Sequence, residues 1–309
     1  MTRAVVFGYH NVGRRCLAVL IGRGIDVALV VTHEDDPREQ VWFGSVAELA
    51  RIHDIPVITP ADPNEGAVVS RVAALRPDFL FSFYYRKMLG PGLLAAAGRG
   101  ALNMHGSLLP RYRGRVPVNW AVIRGETETG ATLHYMVEKP DAGDIVDQQA
   151  VPILPDDTAG EVFDKVTVAA ELALHRSLPG LVAGTAPHRA QDLAAGSYFG
   201  GRKPEDGRID WNSAASAVHN LVRGVAPPYP GAFTDLGGRR LRVLRSLRLP
   251  GLPRRFDRPT LFVDGETCLA QCGDGGLVRL VDIEYDGVPV SAGALAARLG
   301  SAAVPLPTA

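Results

Sequence analysis

The chain has 309 residues, 46% of them hydrophobic and 21% charged, and its 33 basic and 33 acidic side chains give a formal net charge of zero. Such a composition buries a core easily, and its neutrality excludes a global attraction for nucleic acid while leaving a local basic patch open. Three cysteines, Cys16, Cys268 and Cys272, cannot build a disulfide framework, so a reducing, cytoplasmic setting is expected. Cys268 and Cys272 lack Cys or His neighbours at zinc-ligand spacing and read as packing residues, and no metal site is expected. The apolar run at the N-terminus is too short for a signal peptide, and no window approaches the ~18 unbroken apolar residues of a membrane span.

Residues 4–7 read as a buried strand, 8–13 as a loop, and a helical pattern follows to about residue 24. The loop is not a dinucleotide fingerprint, because Gly8 and Gly13 do not fit G-x-G-x-x-G. A strand at 27–31, a helix from 45 to 53, a short strand at 56–58, a helix at 65–75 and a strand at 79–83 come next. Strands alternating with helices predict βαβ crossovers and a mostly parallel, Rossmann-like sheet. Ligands of such sheets sit beyond the carboxyl ends of the strands. Tyr9 and His10 stand at such a tip, where they either touch a substrate or cap the following helix.

A short helix at 117–124 and a strand at 131–136 follow, with His134 in mid-strand, a position more often structural. Thr158 and Glu161 form a capping box opening a helix to about residue 177. Residues 202–207 are polar and turn-rich, like a linker. A helix at 213–225 and strand patterns at 240–244, 260–263 and 277–281 predict a smaller, β-rich, barrel-like domain closed by a helix at 291–299. The expected division is 1–203 for the α/β domain and 204–309 for the β-rich one. Eight arginines fall between Arg239 and Arg258; a solvated strand face is the usual explanation, with an RNA-facing patch as the alternative.

The chemistry concentrates at residues 101–114. Asn103 and His105 are two apart on an extended run, so their side chains project from one face. Gly106 and Pro110 then turn the chain. An amide donor beside a proton-transfer group suits acyl transfer, although two polar residues capping a strand end would look the same.

The run His105-Gly106-Ser107-Leu108-Leu109-Pro110, followed by Tyr112-Arg113-Gly114, resembles the signature of the formyltransferases that use 10-formyltetrahydrofolate. Glu128-Thr129-Gly130-Ala131-Thr132-Leu133-His134 and the later Asp141-Ala142-Gly143-Asp144-Ile145 fit the same family. The combination of Asn-X-His with the Asp-X-Gly-Asp block is specific, whereas each half alone is weak. The resemblance extends over most of the chain. It is nearest to the formyltransferase module of the bifunctional polymyxin-resistance enzyme that makes UDP-4-deoxy-4-formamido-L-arabinose. That relative continues into a Rossmann-type decarboxylase half, whereas this sequence stops at Ala309, so only formyl transfer is expected.

What the resemblance implies is a formyltransferase fold with 10-formyltetrahydrofolate as co-substrate. Asn103 would stabilise the oxyanion of a tetrahedral adduct, His105 would move the proton, and Asp141 would favour the imidazolium of His105. Lys87, Met88, Leu89, Arg115, Val137, Glu138, Lys139, Pro140 and Asp141 match the family's formyl-folate contacts. Lys87 and Met88 differ in side chain from the family pattern, which matters little where backbone does the binding. The implied acceptor is a nucleotide-linked amino sugar, first of all UDP-4-amino-4-deoxy-L-arabinose, with methionyl-tRNA formyltransferase as the alternative. The latter needs a basic groove that the neutral composition does not announce, so nucleic acid and membrane are not expected as partners. A homo-oligomer stays open. A binding module without catalysis is the reading from another class, and the intact Asn103, His105 and Asp141 argue against it.

Overall fold

The structure is a computed structural model that describes residues 1–37 and 41–307. The chain folds into two compact units, one made of Met1–Pro117, Glu128–Pro152 and Asp164–Gly200, the other of Val118–Thr127, Ile153–Phe163 and Gly201–Ala309. In chain order the elements begin with β1 (Arg3–Gly8), α1 (His10–Gly22), β2 (Asp26–Val31), α2 (Val46–Ile52), β3 (Val57–Ile58), α3 (Gly66–Ala74), β4 (Phe79–Phe83) and α4 (Pro91–Leu94). Then come β5 (Ala101–His105), β6 (Arg113–Gly114), α5 (Pro117–Ile123), β7 (Glu128–Tyr135), β8 (Ile145–Pro152), α6 (Ala159–Ala183) and β9 (Tyr198–Phe199). The last part holds α7 (Ala215–Gly224), β10 (Ala232–Leu236), β11 (Arg239–Leu249), β12 (Thr260–Asp264), β13 (Thr267–Gln271), β14 (Leu277–Tyr285), β15 (Val288–Pro289), α8 (Ala292–Leu299) and β16 (Ala303–Pro305).

The first unit is the expected α/β, Rossmann-like fold. Its sheet runs β3-β2-β1-β4-β5-β7-β8, parallel as far as β5 and antiparallel from β5 to β8. β1 and β4 are apolar almost throughout because the parallel core is buried. Alternate residues Val5, Phe7, Leu29, Val31 and Leu80 join Val72 of α3 and Leu93 of α4 in one apolar cluster, the period of two that a strand imposes. The chain steps from β1 to one side and from β4 to the other, so the topological switch point lies at the carboxyl ends of these two strands. There Tyr9 N–H donates to Phe83 O at 3.0 Å.

Two local expectations need correction, and one strand had not been expected at all. Residues 10–13 belong to helix α1, whose cap is Tyr9, and only His10 keeps a left-handed, loop-like backbone (φ 66°). α6 runs on to Ala183 through Pro179. The proline lacks the N–H that would bond the His175 carbonyl, and Arg23 Nη2 donates to that carbonyl instead, at 3.3 Å. Strand β8 had no apolar signal to announce it: it lies at the sheet edge, and its centre is Asp147-Gln148-Gln149.

The second unit is an open, barrel-like antiparallel sheet in the order β10-β11-β14-β13-β12-β16, with β15 added on β14. Trp211, Val218, Val222, Leu241, Val243, Leu261, Leu280 and Leu295 fill its core. Cys268 and Cys272 lie in the same core as free thiols, and burial pushes both thiols up to about 12. Arg239, Arg240 and Arg242 pair with Asp286, Asp235 and Glu284 across the exposed strands. No helix among the described residues is long and apolar enough to cross a membrane.

Candidate active site

Strand β5 has a parallel neighbour, β4, on one side and an antiparallel neighbour, β7, on the other. The antiparallel register sets Asn103 opposite His134 and His105 opposite Thr132. Asn103 and His105 share a face by their spacing, and direct cross-strand partners share it too. Four polar side chains therefore leave the same side of the β5–β7 pair.

The His134 ring bridges two groups. Its Nδ1 is 2.8 Å from Tyr135 O, and a carbonyl only accepts, so Nδ1 carries the proton. Nε2 is then the acceptor for Asn103 Nδ2–H at 3.2 Å, which fixes the direction of the Asn103 amide. The same Nε2 lies 3.6 Å from Asp141 Oδ1.

His105 is 6% exposed. Its Nε2–H donates to Tyr112 O at 2.8 Å, so Nδ1 is turned to Asp141, 3.6 Å from Oδ1. Asp141 Oδ2 accepts the Gly114 N–H at 2.9 Å. One carboxylate thus accepts a backbone amide and stands close to two imidazoles. Burial works to raise the Asp141 pKa, but the charge on His105, the approach of His134 and the Gly114 N–H together overcome it. The carboxyl is held well below the usual carboxylate range.

The Asp141 loop is fixed from behind. Gln191 Nε2 donates to Asp141 O at 3.1 Å and to Gly143 O at 2.6 Å. A Cβ on Gly143 would collide with the Tyr135 carbonyl, so only glycine lets this loop lie against β7. Gly106 has the same role in front of Tyr84, whose hydroxyl occupies the place a Cβ would take. The turn after β5 is tied to β7 by Thr132 Oγ1, which donates to Ser107 O at 2.6 Å and accepts Leu109 N–H at 3.1 Å.

Left-handed backbone gathers in the same loops: His10, Tyr84, Tyr112, Val116 and Asp141 have φ between 47° and 66°. Tyr and especially β-branched Val are rarely found there, and such strain concentrates at functional sites. By contrast, a cavity of about 400 Å³ lies at the amino end of β2, lined by Ile21, Ile25, Asp26, His53 and Pro56. It brings no acid–base constellation together.

The other expected site residues fall on loops, except His10, the first residue of α1. Lys87, Met88 and Leu89 follow β4, and the Lys87 ammonium is held by the Ala61 carbonyl. Leu89 is buried in the sheet's apolar cluster, whereas Met88 is 60% exposed. Arg115 is exposed, and its N–H donates to Phe199 O at 2.9 Å. Val137, Glu138 and Lys139 are exposed and Pro140 half-buried, on the loop into Asp141. Tyr9 is buried, its hydroxyl donating to Asp35 at 2.7 Å. His10 packs against Phe43 and Trp42, with ring centroids 4.0 and 4.5 Å away. Sequence reasoning undervalued His134 and missed the Tyr112 carbonyl, Gln191 and the Trp42–Phe43 pair. Only His134 left a signal: it becomes visible once the strand around it is paired with β5.

An amide donor, two imidazoles and an ionised carboxylate meet at the carboxyl edge of the parallel strands, a set that can support group transfer with acid–base assistance. The chain belongs to the formyl transferase family: the family's "Formyl transferase" model matches residues 2–178, and its "Formyl transferase, C-terminal domain" model matches residues 202–298. It is a formyltransferase.

Solved structures share the fold. An N-formyltransferase from Helicobacter canadensis, in complex with folinic acid and dTDP-3-aminofucose, aligns with a TM-score of 0.69 at 19% identity, over 91% of this chain and 99% of that one. The sugar 3N-formyltransferase WlaRD, with dTDP and 5-N-formyl-tetrahydrofolate, gives 0.71 at 17% identity, over 90% and 97%. HypX from Aquifex aeolicus, in complex with tetrahydrofolic acid, gives 0.64 at 16% identity, over 96% of this chain and 47% of that one. At these identities the likeness carries the fold.

Proposed function

We propose that this formyltransferase moves a formyl group from 10-formyltetrahydrofolate to the amine of a nucleotide-linked amino sugar, with Asn103, His105 and Asp141 as its catalytic residues. The observation that carries the reading is the convergence of these three side chains, with His134, on one face at the mouth of the sheet.

Formyl-folate supplies the activated carbonyl carbon. The acceptor amine forms the new C–N bond, the bond to the folate nitrogen breaks, and one proton passes from the amine to the leaving nitrogen. His134 accepts one N–H of the Asn103 amide, so the second N–H is already oriented to meet the oxyanion. A donor of this kind is typically worth about 2.7–4 kcal/mol in the transition state. His105 is the group that moves the proton. Asp141 steadies the charged ring, and its own ionisation is secured by Gly114 and the two histidines. The Tyr112 carbonyl holds the Nε2 proton of His105 in the resting geometry, so the ring exchanges that carbonyl for a reacting atom during transfer.

The loop residues fit a formyl-folate. Among the described residues, the N–H groups of Met88 and Leu89 have no partner. Together with the exposed side chains of Met88 and Val137, they suit a flat ring with a hydrogen-bonding edge. Lys87, Arg115 and residues 137–140 complete this proposed set. Tyr9 and His10 are assigned to the acceptor side because they follow β1 at the switch point, and Trp42 and Phe43 because their rings pack on His10. The fold alone does not choose the acceptor, since HypX shares it. The sugar nucleotides seen with the two N-formyltransferases and the sequence likeness to the aminoarabinose branch favour an amino sugar, UDP-4-amino-4-deoxy-L-arabinose first.

The test is a mass-spectrometric assay with 10-formyltetrahydrofolate and three acceptors: UDP-4-amino-4-deoxy-L-arabinose, a dTDP-amino sugar and charged initiator tRNA. A gain of one formyl mass on UDP-4-amino-4-deoxy-L-arabinose is expected. Transfer to tRNA alone would overturn the sugar assignment, and transfer to none of the three would overturn the reading as a whole.

A further inference from the structure

The loop proposed to pair with the folate ring is not held by its own secondary structure, because residues 86–90 lie outside any helix or strand. It is held from outside, chiefly by one side chain. Asn64 Nδ2 donates to Met88 O at 3.0 Å, and Asn64 Oδ1 accepts the Gly90 N–H at 2.7 Å. A carboxamide that takes a carbonyl and an N–H two residues apart imitates a paired β-strand, and it leaves the one intervening N–H, that of Leu89, pointing elsewhere.

Asn64 is itself preset. It occupies the third position of the turn Asp62-Pro63-Asn64-Glu65, in which Glu65 N–H reaches Asp62 O at 3.4 Å, and proline at the second position suits such a turn. Asp62 Oδ1 accepts both the Asn64 N–H at 3.0 Å and Nδ2 at 3.3 Å, which fixes which end of the amide donates to Met88. Two further ties act on the same loop. The Lys87 ammonium binds Ala61 O, and His33 Nε2 accepts the Arg86 N–H at 3.1 Å while its ring stacks on Tyr85, centroids 4.1 Å apart.

We infer that Asn64 is a positioning residue for the formyl donor: it holds the backbone of Met88 and Leu89 in the conformation that pairs with the folate ring, without touching the reacting atoms. This rests on the formyl-folate reading above. An ordered edge binds a rigid heterocycle more tightly because less of the binding energy is spent on ordering the loop.

The experiment compares the wild-type chain with Asn64→Ala, Asn64→Asp and, as a control in the same turn, Glu65→Ala. The Glu65 side chain makes no cap bond to its helix. Binding of 5-formyltetrahydrofolate is measured by calorimetry, and KM for each substrate and kcat by the formyl-transfer assay. Both Asn64 variants are expected to weaken folate binding and raise KM for 10-formyltetrahydrofolate about tenfold, the factor equivalent to about 1.4 kcal/mol, with kcat and the acceptor KM unchanged. Asn64→Asp preserves size and the acceptor for the Gly90 N–H but turns a charged oxygen, in place of the donor, toward Met88 O and Asp62. Its failure to rescue therefore shows that side-chain volume does not hold the loop, while Asn64→Ala reads the loss of the amide without an added charge. Glu65→Ala is expected to behave as wild type. Wild-type folate affinity in both Asn64 variants, or an equal rise in both KM values, would overturn the inference. A wild-type chain that binds no folate would instead defeat the parent reading, and this one with it.

Discussion

Two buried histidine clusters, one in each unit, look alike in outline and differ in what they leave undone. In the first unit, His105 and His134 stand 3.6 Å from the two-way carboxylate of Asp141. In the second, His219 is 2% exposed and 3.5 Å from Asp156. His219, however, is satisfied by neutral groups: Nδ1 pairs with Ser246 Oγ at 3.0 Å and Nε2 with Pro155 O at 3.0 Å. Its carboxylate neighbour is more than half exposed, and burial keeps the His219 pKa lowered, reinforced by Arg223 and Arg248 against the pull of the Pro155 carbonyl and Asp156. In the first cluster one ionised carboxylate stands 3.6 Å from two imidazoles and accepts the Gly114 N–H, and its amide, Asn103, is half-buried and not fully enclosed. Burial of a histidine therefore says little about function. A shared, ionised partner and a polar neighbour with hydrogen-bonding capacity left over say more.

The sharpest break between the clusters is kinetic. Asn103→Ala is expected to lower kcat by about 10²–10³-fold, the usual cost of a lost oxyanion donor, and His105→Ala by about 10²–10⁴-fold, the range of general acid–base catalysis. Single-turnover mass spectrometry at saturating substrates reads both. A variant that retains wild-type kcat removes that residue from the proposed machinery.

Asp141→Asn comes next. It keeps the shape and an acceptor for Gly114 but loses the charge, so the rate should fall by about 10²-fold, as for an impaired proton-transfer group. The same substitution changes the acid limb of stability. The folded carboxyl lies below its ordinary value of 3.8, so the unfolded chain takes up the proton first. The stabilisation from Asp141 is complete above about 4, the ordinary aspartate range, and drains away as pH falls toward the folded value. Denaturant melts between pH 5 and pH 2 should show a shallower loss in Asp141→Asn than in the wild-type chain; parallel curves would contradict the ion network drawn here.

How far the site could be read in advance depended on which interactions were local. The face shared by Asn103 and His105 follows from their spacing, and the alternation of strands and helices was enough for the parallel sheet. The meeting of His134 with Asn103 depended on β7 running antiparallel to β5, a pairing across about thirty residues that no local pattern specifies. Gln191 and the Tyr112 carbonyl act through backbone groups and loop course, where residue type carries little information. β8 was hidden for another reason: an edge strand with polar residues at its centre has no hydrophobic period to detect. The helix expected to end near residue 177 runs on past Pro179 to Ala183, and a distant arginine, Arg23, satisfies the carbonyl that the proline frees.

His134→Gln and His219→Gln set the two clusters side by side. In His134→Gln the new amide can still accept from Asn103 but cannot reproduce the ring's link to Tyr135 O, so kcat is expected to drop about tenfold, as when one hydrogen bond of about 1.4 kcal/mol is lost from the transition state. His219→Gln should leave kcat alone and cost stability, about 1–3 kcal/mol for buried partners left unpaired. His219 also predicts a pH dependence in a higher window than that of Asp141. Its folded pKa lies below the ordinary 6.5, so its stabilisation is full above about 6.5, the ordinary histidine value, and is lost as pH falls from there toward the folded value. Wild-type melting temperature should begin to decline below about pH 6.5, while His219→Gln stays flatter. Should the rate respond to His219→Gln and the melt to His134→Gln, the two clusters would have to exchange roles.

The smallest effect belongs to Ser246→Ala. It removes one neutral partner of His219 and leaves Nδ1 unpaired in a site closed to water, at an expected cost of about 1 kcal/mol. The Pro155 carbonyl still accepts from Nε2, so the ring stays in place, and formyl-transfer rates should match the wild-type chain. A loss well above that of His219→Gln would mean that Ser246 supports the sheet independently of the histidine. An unchanged melting temperature would mean that Nδ1 finds another partner. Either result would redraw the structural cluster and leave the catalytic one as it stands.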